Sequence, residues 1–180
     1  MTRLARFEKA VLPHLDAAYN LARWLTRNDH DAQDVVQEAY LRAFRFFDGL
    51  RGDDARAWLL AIVRNAGYRW LEKNRPAEVV SLEDAGTVSA DEESVGHVEP
   101  ADSNPEVILL RGVNRKLVNQ ALEELPVAYR EVLVMREIED LSYKEIASIA
   151  GVPLGTVMSR LARGRELLRR VLAVRVRKAS

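Results

Sequence analysis

The stretch Leu141 to Leu168, LSYKEIASIAGVPLGTVMSRLARGRELL, constrains this chain more than any other. It reads as a short helix, a tight turn and a second helix carrying several arginines. Ser142 followed three residues later by Glu145 has the form of a capping box, in which each side chain satisfies a free amide of the first turn. Ile146, Ala147, Ile149 and Ala150 supply apolar surface. Gly151-Val152-Pro153 then ends the helix, because glycine accepts left-handed backbone and proline cannot continue a helix. So short a turn makes the two helices cross. In the second helix Leu154, Val157, Leu161 and Leu168 fall on one side, and Thr156, Ser159, Arg160 and Arg163 fall roughly opposite. A polar, cationic stripe on an arbitrary amphipathic helix is usually only a solvated face. The coincidence of box, turn and stripe reverses that expectation and points to a helix-turn-helix that lays its second helix in DNA.

Composition narrows the classes further. A length of 180 residues with 48% hydrophobic residues is ordinary for a folded chain of one or two small domains. The absence of cysteine excludes disulfides, thiolate metal sites and thiol nucleophiles, and is compatible with a reducing cytoplasm. The N-terminus lacks the apolar core of a secretory signal. The longest plainly apolar run, Ala57 to Val63, is too short to span a bilayer. The reading is a soluble, cytoplasmic protein without membrane insertion.

A formal net charge of zero argues at first against a nucleic-acid partner, but it hides a segregation. Glu78, Glu83, Asp84, Asp91, Glu92, Glu93, Glu99 and Asp102 lie together with no Lys or Arg among them. The pieces before and after carry roughly +3 and +5 respectively. Two basic modules flank an acidic strap.

From Ala5 to Thr26, Phe7, Val11, Leu15, Ala18, Tyr19, Ala22 and Leu25 recur at helical spacing, with Pro13 as a bend or a start. Asn28-Asp29-His30-Asp31 breaks that helix, and Asp29 or Asp31 can cap the next. There Ala32, Val35, Val36, Ala39, Tyr40, Ala43, Phe44 and Phe47 form a regular buried stripe. The opposite face carries Asp34, Gln37, Glu38, Leu41, Arg42 and Arg45. Asp31, Asp34 and Glu38 do not read as a metal site, because no Glu-x-x-His accompanies them and His14, His30 and His97 are scattered.

The loop Asp48 to Asp54 has turn chemistry but neither dinucleotide nor Walker spacing. A helix from Ala55 to Asn74 follows and stops before Pro76. Trp58, Leu59, Ile62, Val63, Ala66 and Leu71 can face the core. Arg56, Arg64, Asn65, Tyr68, Arg69, Trp70, Lys73 and Arg75 interleave cations with aromatics, a pattern suited to stacking unpaired bases and holding phosphates. Trp58 and Trp70 can instead be core residues, Trp58 at least as readily as a nucleic-acid contact, so Tyr68 and the arginines are the better candidates.

Residues 77–104 lack a sustained helical stripe and read as a mostly extended, mobile linker. Asn104-Pro105-Glu106 has the form of a cap with proline at the first helical position, followed by Leu110, Val113, Leu117, Ala121 and Leu125. Pro126 starts a further helix through Val132, Leu133 and Met135. The expected architecture is all-α: helical domains at 1–76 and 105–180, the latter a helix-turn-helix domain, joined by a flexible acidic linker at 77–104. The arginines beyond Leu168 prolong the last helix before it frays.

Three motifs in this order resemble bacterial sigma-70-type initiation factors of the extracytoplasmic-function group, and the resemblance covers nearly the whole chain. They are Asp34-Val-Val-Gln-Glu-Ala-Tyr-Leu-Arg-Ala43, Leu50-Arg-Gly-Asp53 through Trp58-Leu59, and Leu141-Ser-Tyr-Lys-Glu-Ile-Ala147 through Gly155-Thr-Val-Met-Ser-Arg-Leu161. The resemblance implies a promoter-specificity subunit for core RNA polymerase, its beta-prime and beta subunits as partners, with no catalytic chemistry of its own and no cofactor. Asp34, Gln37, Glu38, Leu41 and Arg42 would grip the beta-prime coiled coil. Leu50, Arg51, Gly52, Asp53, Asp54 and Arg56 would form the pocket for a flipped base of the minus-ten promoter element, with Asn65, Tyr68 and Arg69 adjoining. Thr156, Met158, Ser159, Arg160 and Arg163 would read the minus-thirty-five element. Met158 departs from the family, where many relatives carry Lys or Arg, and an apolar contact with a thymine methyl would replace a polar one. The acidic linker would thread toward the polymerase active-site and RNA-exit channel. An anti-sigma factor that sequesters the chain between its two domains is a further family expectation.

Two rivals make different demands. An autonomous helix-turn-helix regulator needs tight operator binding without polymerase. An enzyme acting on nucleic acid needs a paired acid and base, a metal cluster or a nucleophile arrangement, and the sequence shows none.

Overall fold

Pro13 divides the N-terminal pattern in two. In the computed structural model, which describes residues 1–79 and 115–179, α1 spans Arg3–Val11 and α2 spans Leu15–Thr26, joined by one tight turn at Leu12–His14. The break has a use, since it lets α1 turn Phe7 into the face of α3 (Asp29–Arg45). Phe7 is fully buried, with its ring edge-to-face with Tyr40, Phe44 and Phe47 at centroid separations of 4.9, 5.1 and 5.3 Å. Offset aromatic contacts of this kind add about 0.5–1.5 kcal/mol beyond the area they bury.

Asn28 caps α3, accepting a 3.0 Å hydrogen bond from the Asp31 amide at Oδ1, where Asp29 or Asp31 was expected to do so. Asp29 instead ties α3 back to α2. Hydrogen bonds from Arg23 (2.7 Å) and Tyr19 (3.1 Å) hold its carboxyl below the usual carboxylate range. The regular stripe of α3 behaves as expected: Ala32, Val35, Ala39 and Ala43 are buried, and Val36, Tyr40, Phe44 and Phe47 pack partly buried around them.

The fourth helix, α4 (Ala55–Asn74), is capped by Asp54, whose Oδ1 accepts from the Ala57 amide at 3.0 Å. It lies against both α2 and α3. The approach to α2 is close at Gly67, where an added Cβ would sit 2.6 Å from Leu25 Cδ1 and force that side chain to shift. Trp58 is half-buried and meets Phe47 at 6.5 Å, so it serves the core. The expected extended linker begins with helical backbone at 77–79; its remainder, with His97, the other acidic residues and the Asn104-Pro105 cap, lies outside the described residues.

Among the described residues four further helices follow: α5 (Arg115–Glu124), α6 (Val127–Leu133), α7 (Tyr143–Ala150) and α8 (Leu154–Ala179). Between α6 and α7 the backbone widens into a π turn at Val134–Ile138, and Asp140 adopts a left-handed φ of 54° to leave it. Aspartate is among the few residues that tolerate that region. The capping box forms as read, with the Glu145 amide donating to Ser142 Oγ at 3.1 Å and the Ser142 amide donating to Glu145 Oε1 at 3.2 Å. Ser142→Ala is expected to cost about 1 kcal/mol of stability in urea unfolding.

On α8 the buried stripe is Val157, Leu161, Gly164, Leu168 and Leu172; Leu154, expected within it, is 48% exposed because it opens the helix before α6 and α7 can cover it. The helix runs to Ala179 without fraying early, and Arg175 near its end bonds Gln120 and Glu124 of α5. No helix among the described residues is long and apolar enough to cross a membrane.

The two halves do not stand apart. One contiguous apolar cluster runs through both, α7 packs on α4, and α6 is sandwiched between α8 and α2. Every residue of α6 is buried, Arg130 and Glu131 included.

Candidate nucleic-acid interface and docking face

The reading helix presents its polar stripe as its sequence dictates. Ser159 and Arg163 are exposed, Thr156, Met158 and Arg160 half-buried. Ser159 Oγ donates to the Thr156 carbonyl at 3.1 Å. The Nε of Arg160 has no hydrogen-bond partner among the described residues. These five side chains lie within the first ten residues of α8, the end that a helix-turn-helix offers to base edges.

On α3, Asp34, Gln37, Glu38, Leu41 and Arg42 are all exposed. Leu41 is 65% exposed, an unpaired apolar side chain among charges. It borders a shallow groove of about 390 Å³ lined by Tyr19, Gln33, Val36, Gln37, Tyr40 and Leu41. Glu38 pairs with Arg42 one turn on at 3.4 Å and with Arg69 of α4 at 3.6 Å. Around the groove, the helix therefore offers a strip of fixed charges. His30, Asp31 and Asp34 also come together, their ligand atoms within 4.8 Å, but His30 and Asp34 are exposed and form an ordinary helical pair at 3.5 Å.

The minus-ten candidates divide. Arg51, Gly52, Asp53 and Asp54 are exposed in the loop before α4, with Leu50 half-buried at its start. Gly52 has φ 81°, a conformation that glycine accepts freely. Asp54 is committed to capping α4. Asn65 and Arg69 are exposed on α4. Tyr68, read from its spacing as lying on an exposed side, is instead buried beneath the second half, and its hydroxyl lacks a hydrogen-bond partner among the described residues. Burial, and then the charge of Glu131, push that hydroxyl well above its ordinary pKa.

Periodicity gave no sign of the charges between the halves. Glu131 is fully buried and takes Arg64 in a two-pronged fork, Nε at 3.0 Å and Nη2 at 3.1 Å. Burial alone would lower the pKa of Arg64, but the charge and hydrogen bonds of Glu131 outweigh it and raise it. Arg64 also lies over the Tyr68 ring at 3.9 Å. Arg56 reaches the backbone carbonyl and, at 3.4 Å, the carboxylate of Glu139. Arg130 donates to the Leu125 carbonyl at 2.8 Å and to the Leu25 carbonyl across the interface at 3.4 Å. Burial, then the neighbouring Arg27, lower its pKa to about 10, which still leaves it charged at neutral pH. One signal was available: Arg130 and Glu131 interrupt an otherwise apolar run from Val127 to Met135, where charged side chains must find partners.

A helix-turn-helix joined to a helix that displays fixed charges beside an apolar groove defines a two-site, all-helical class of protein, and the comparisons narrow it. Residues 10–76 match the family model of sigma-70 region 2, and residues 115–168 that of sigma-70 region 4. The chain is 38% identical over 141 residues to the ECF RNA polymerase sigma-E factor of Escherichia coli K12, covering 77% of this chain and 72% of that protein. It is 36% identical over 167 residues to the ECF RNA polymerase sigma factor SigE of Mycolicibacterium smegmatis, covering 93% of this chain and 62% of that longer protein. Among solved structures it is similar to the sigma factor RpoE in complex with the anti-sigma factor NepR from Bartonella quintana. The TM-score is 0.68 at 27% identity, over 94% of this chain and 98% of that one. It is also similar to CnrH in complex with the cytosolic domain of CnrY, with TM-score 0.64 at 25% identity over 95% and 90%. The chain belongs to the sigma-70 family of RNA polymerase sigma factors, in its extracytoplasmic-function group.

Proposed function

We propose that this chain binds core RNA polymerase through the exposed face of α3 and directs promoter-specific initiation, α8 reading the minus-thirty-five element and the loop before α4, with α4, opening the minus-ten element. The observation that carries the reading is the division of α3 into two faces. One is locked into the core by Phe7 and α4, and the other leaves Leu41 uncovered between Glu38 and Arg42 beside an apolar groove. An apolar anchor ringed by charges is the anatomy of a docking surface, with burial supplying affinity and the charges setting register. On α8, Arg160 and Arg163 supply forked donors suited to guanine edges, and Met158 offers a methyl contact. The chain itself performs no chemistry in this account. Binding sites on one polymerase raise the effective concentration of each half for its element, so individually weak DNA contacts suffice. An anti-sigma factor is a fitting partner, since both solved relatives named above are complexes with such an inhibitor or with a cytosolic partner domain.

Glu38→Lys tests the docking face. The variant reverses one charge at a side chain whose two ion pairs are half-exposed, so folding should change by no more than about 1 kcal/mol. Affinity for purified core polymerase, measured by fluorescence anisotropy, is expected to fall about tenfold or more, equivalent to about 1.4 kcal/mol. Unchanged affinity in a folded variant would remove α3 from the interface.

A further inference from the structure

Three arginines converge where the ends of α2 and α4 meet α6, and none of them belongs to the docking face or to the DNA candidates. Arg27 follows the last residue of α2, Arg75 follows the last of α4, and Arg130 lies within α6. Each anchors part of its guanidinium on a backbone carbonyl: Arg75 Nη1 on Thr26 at 2.8 Å, Arg27 Nη1 on Glu123 at 3.1 Å, and Arg130 Nη1 on Leu125 at 2.8 Å. Carbonyls at a helix C-terminus are free to accept because they lack a partner within the helix. The forks are therefore held in place before any ligand arrives. Arg27 also takes a left-handed φ of 58°, at the helix-ending position that glycine usually fills. Strain of that kind persists only where surrounding contacts hold it.

What the forks surround is under-filled. Among the described residues, the carboxylate that all three share is that of Glu78. Arg27 hydrogen-bonds its Oε1, whereas Arg75 and Arg130 approach it only to 3.9 Å. Glu78 Oε2 is buried without a hydrogen-bond partner, and so are Nε of Arg27 and Nε of Arg130. Glu123 gives the cluster its carbonyl, and its carboxylate pairs with Arg23 at 3.7 Å. One carboxylate thus stands against three cations, with buried donors unused, an arrangement that is costly unless something fills it. Arg130 is 2% exposed but Arg27 and Arg75 are 32% exposed, so solvent reaches the cluster past them. A phosphoryl group carries about two negative charges at neutral pH and more acceptor oxygens than a carboxylate. A guanidinium fork accepts either.

We infer that Arg27, Arg75 and Arg130 form a binding site for a diphosphate group, whose oxygens take the place of the Glu78 carboxylate. Glu78 is then the resident competitor, a poorly fitted occupant that the ligand displaces. Free pyrophosphate and the diphosphate end of a nucleotide share this chemistry. The site depends on neither the docking nor the DNA-reading assignment.

The test is calorimetric titration of the full chain with inorganic pyrophosphate in phosphate-free buffer. Saturable binding to one site per chain is expected, with sulfate about tenfold weaker or worse because it brings fewer oxygens and less charge. Arg27→Gln and Arg75→Gln should each weaken pyrophosphate about tenfold, as loss of a charge-assisted hydrogen bond requires. Glu78→Gln keeps the side chain's shape, removes its charge and should tighten binding about fivefold, because affinity scales with the fraction of sites left vacant. Arg45→Gln, on the exposed surface of α3, should change nothing. Arg75 lies over the Trp70 ring at 5.0 Å, so pyrophosphate should alter tryptophan emission, and Trp70→Phe should remove that signal while keeping the heat. ADP binding more tightly than pyrophosphate would identify a nucleotide as the ligand, and ADP binding no more tightly would identify the free anion; both outcomes support the site. Circular dichroism establishes that each variant is folded, and Glu78→Gln carries the test should an arginine variant unfold. Absence of heat in both the unaltered chain and folded Glu78→Gln, or an affinity indifferent to Glu78, would overturn the proposal and leave the cluster as a clasp between helices. Sulfate binding as tightly as pyrophosphate, or Arg45→Gln weakening it equally, would overturn it as general attraction of anions to a basic surface.

Discussion

Phe7→Ala is expected to destabilise the protein by about 3–5 kcal/mol, the usual range for deleting a fully buried phenyl ring. Phe7 is fully buried and meets the rings of Tyr40 and Phe44 on α3 and of Phe47 just beyond it. Arg3 compounds the effect. It reaches back from α1 to the Phe44 carbonyl at 2.8 Å and lies over the Phe44 ring at 4.7 Å, so loosening α1 also releases the end of α3. In thermal unfolding the midpoint should fall by roughly 10 °C. Leu4→Ala, half-exposed on the same helix, should shift stability by no more than about 0.5 kcal/mol. Equal losses from the two variants would show that α1 is not anchored through Phe7.

Arg163→Ala is expected to reduce transcription from a cognate promoter about ten- to a hundredfold while leaving affinity for core polymerase unchanged. Arg163 is exposed on α8, a different helix from the one that carries the α3 face, on the polar stripe opposite Val157 and Leu161. An arginine fork on a guanine edge is worth about 1–3 kcal/mol of discrimination, which sets the size of the effect. The pattern of the defect shows what Arg163 touches. Deleting an arginine that reads a base relaxes preference at one promoter position, whereas deleting one that holds a phosphate weakens all sequences alike and lowers the salt dependence by about one ion. Loss of polymerase binding alongside promoter recognition would contradict the separation of the two faces.

How far the sequence carried depended on the range of the interactions concerned. The capping box at Ser142 and Glu145, the left-handed Gly151, the stripe of α3 and the extent of α4 are local matters, each decided by a few adjacent residues, and each was legible. Asn28 took the cap of α3 because Asp29 was drawn to Arg23 and Tyr19 on another helix, and helical periodicity cannot register such competition. Leu154 matched the buried stripe in spacing, yet it opens α8 and is 48% exposed. The larger omission was the joint between the halves. Tyr68 and Arg64 read as an exposed nucleic-acid pair because α4 alone says nothing of what covers it, and Glu131 lies 67 positions away from Arg64. A charged pair set within the apolar run of α6 was the visible trace of that joint. Recognising its partner required the fold.

The most direct measurement is reconstitution of the purified chain with core RNA polymerase lacking any other specificity subunit, followed by transcription from genomic templates. The account predicts a stable complex that survives gel filtration and produces discrete transcripts from a limited set of start sites, with Glu38→Lys weakening the first and Arg163→Ala only the second. No complex with polymerase, together with nanomolar binding of duplex DNA by the chain alone, would contradict it and mark the protein as an autonomous regulator.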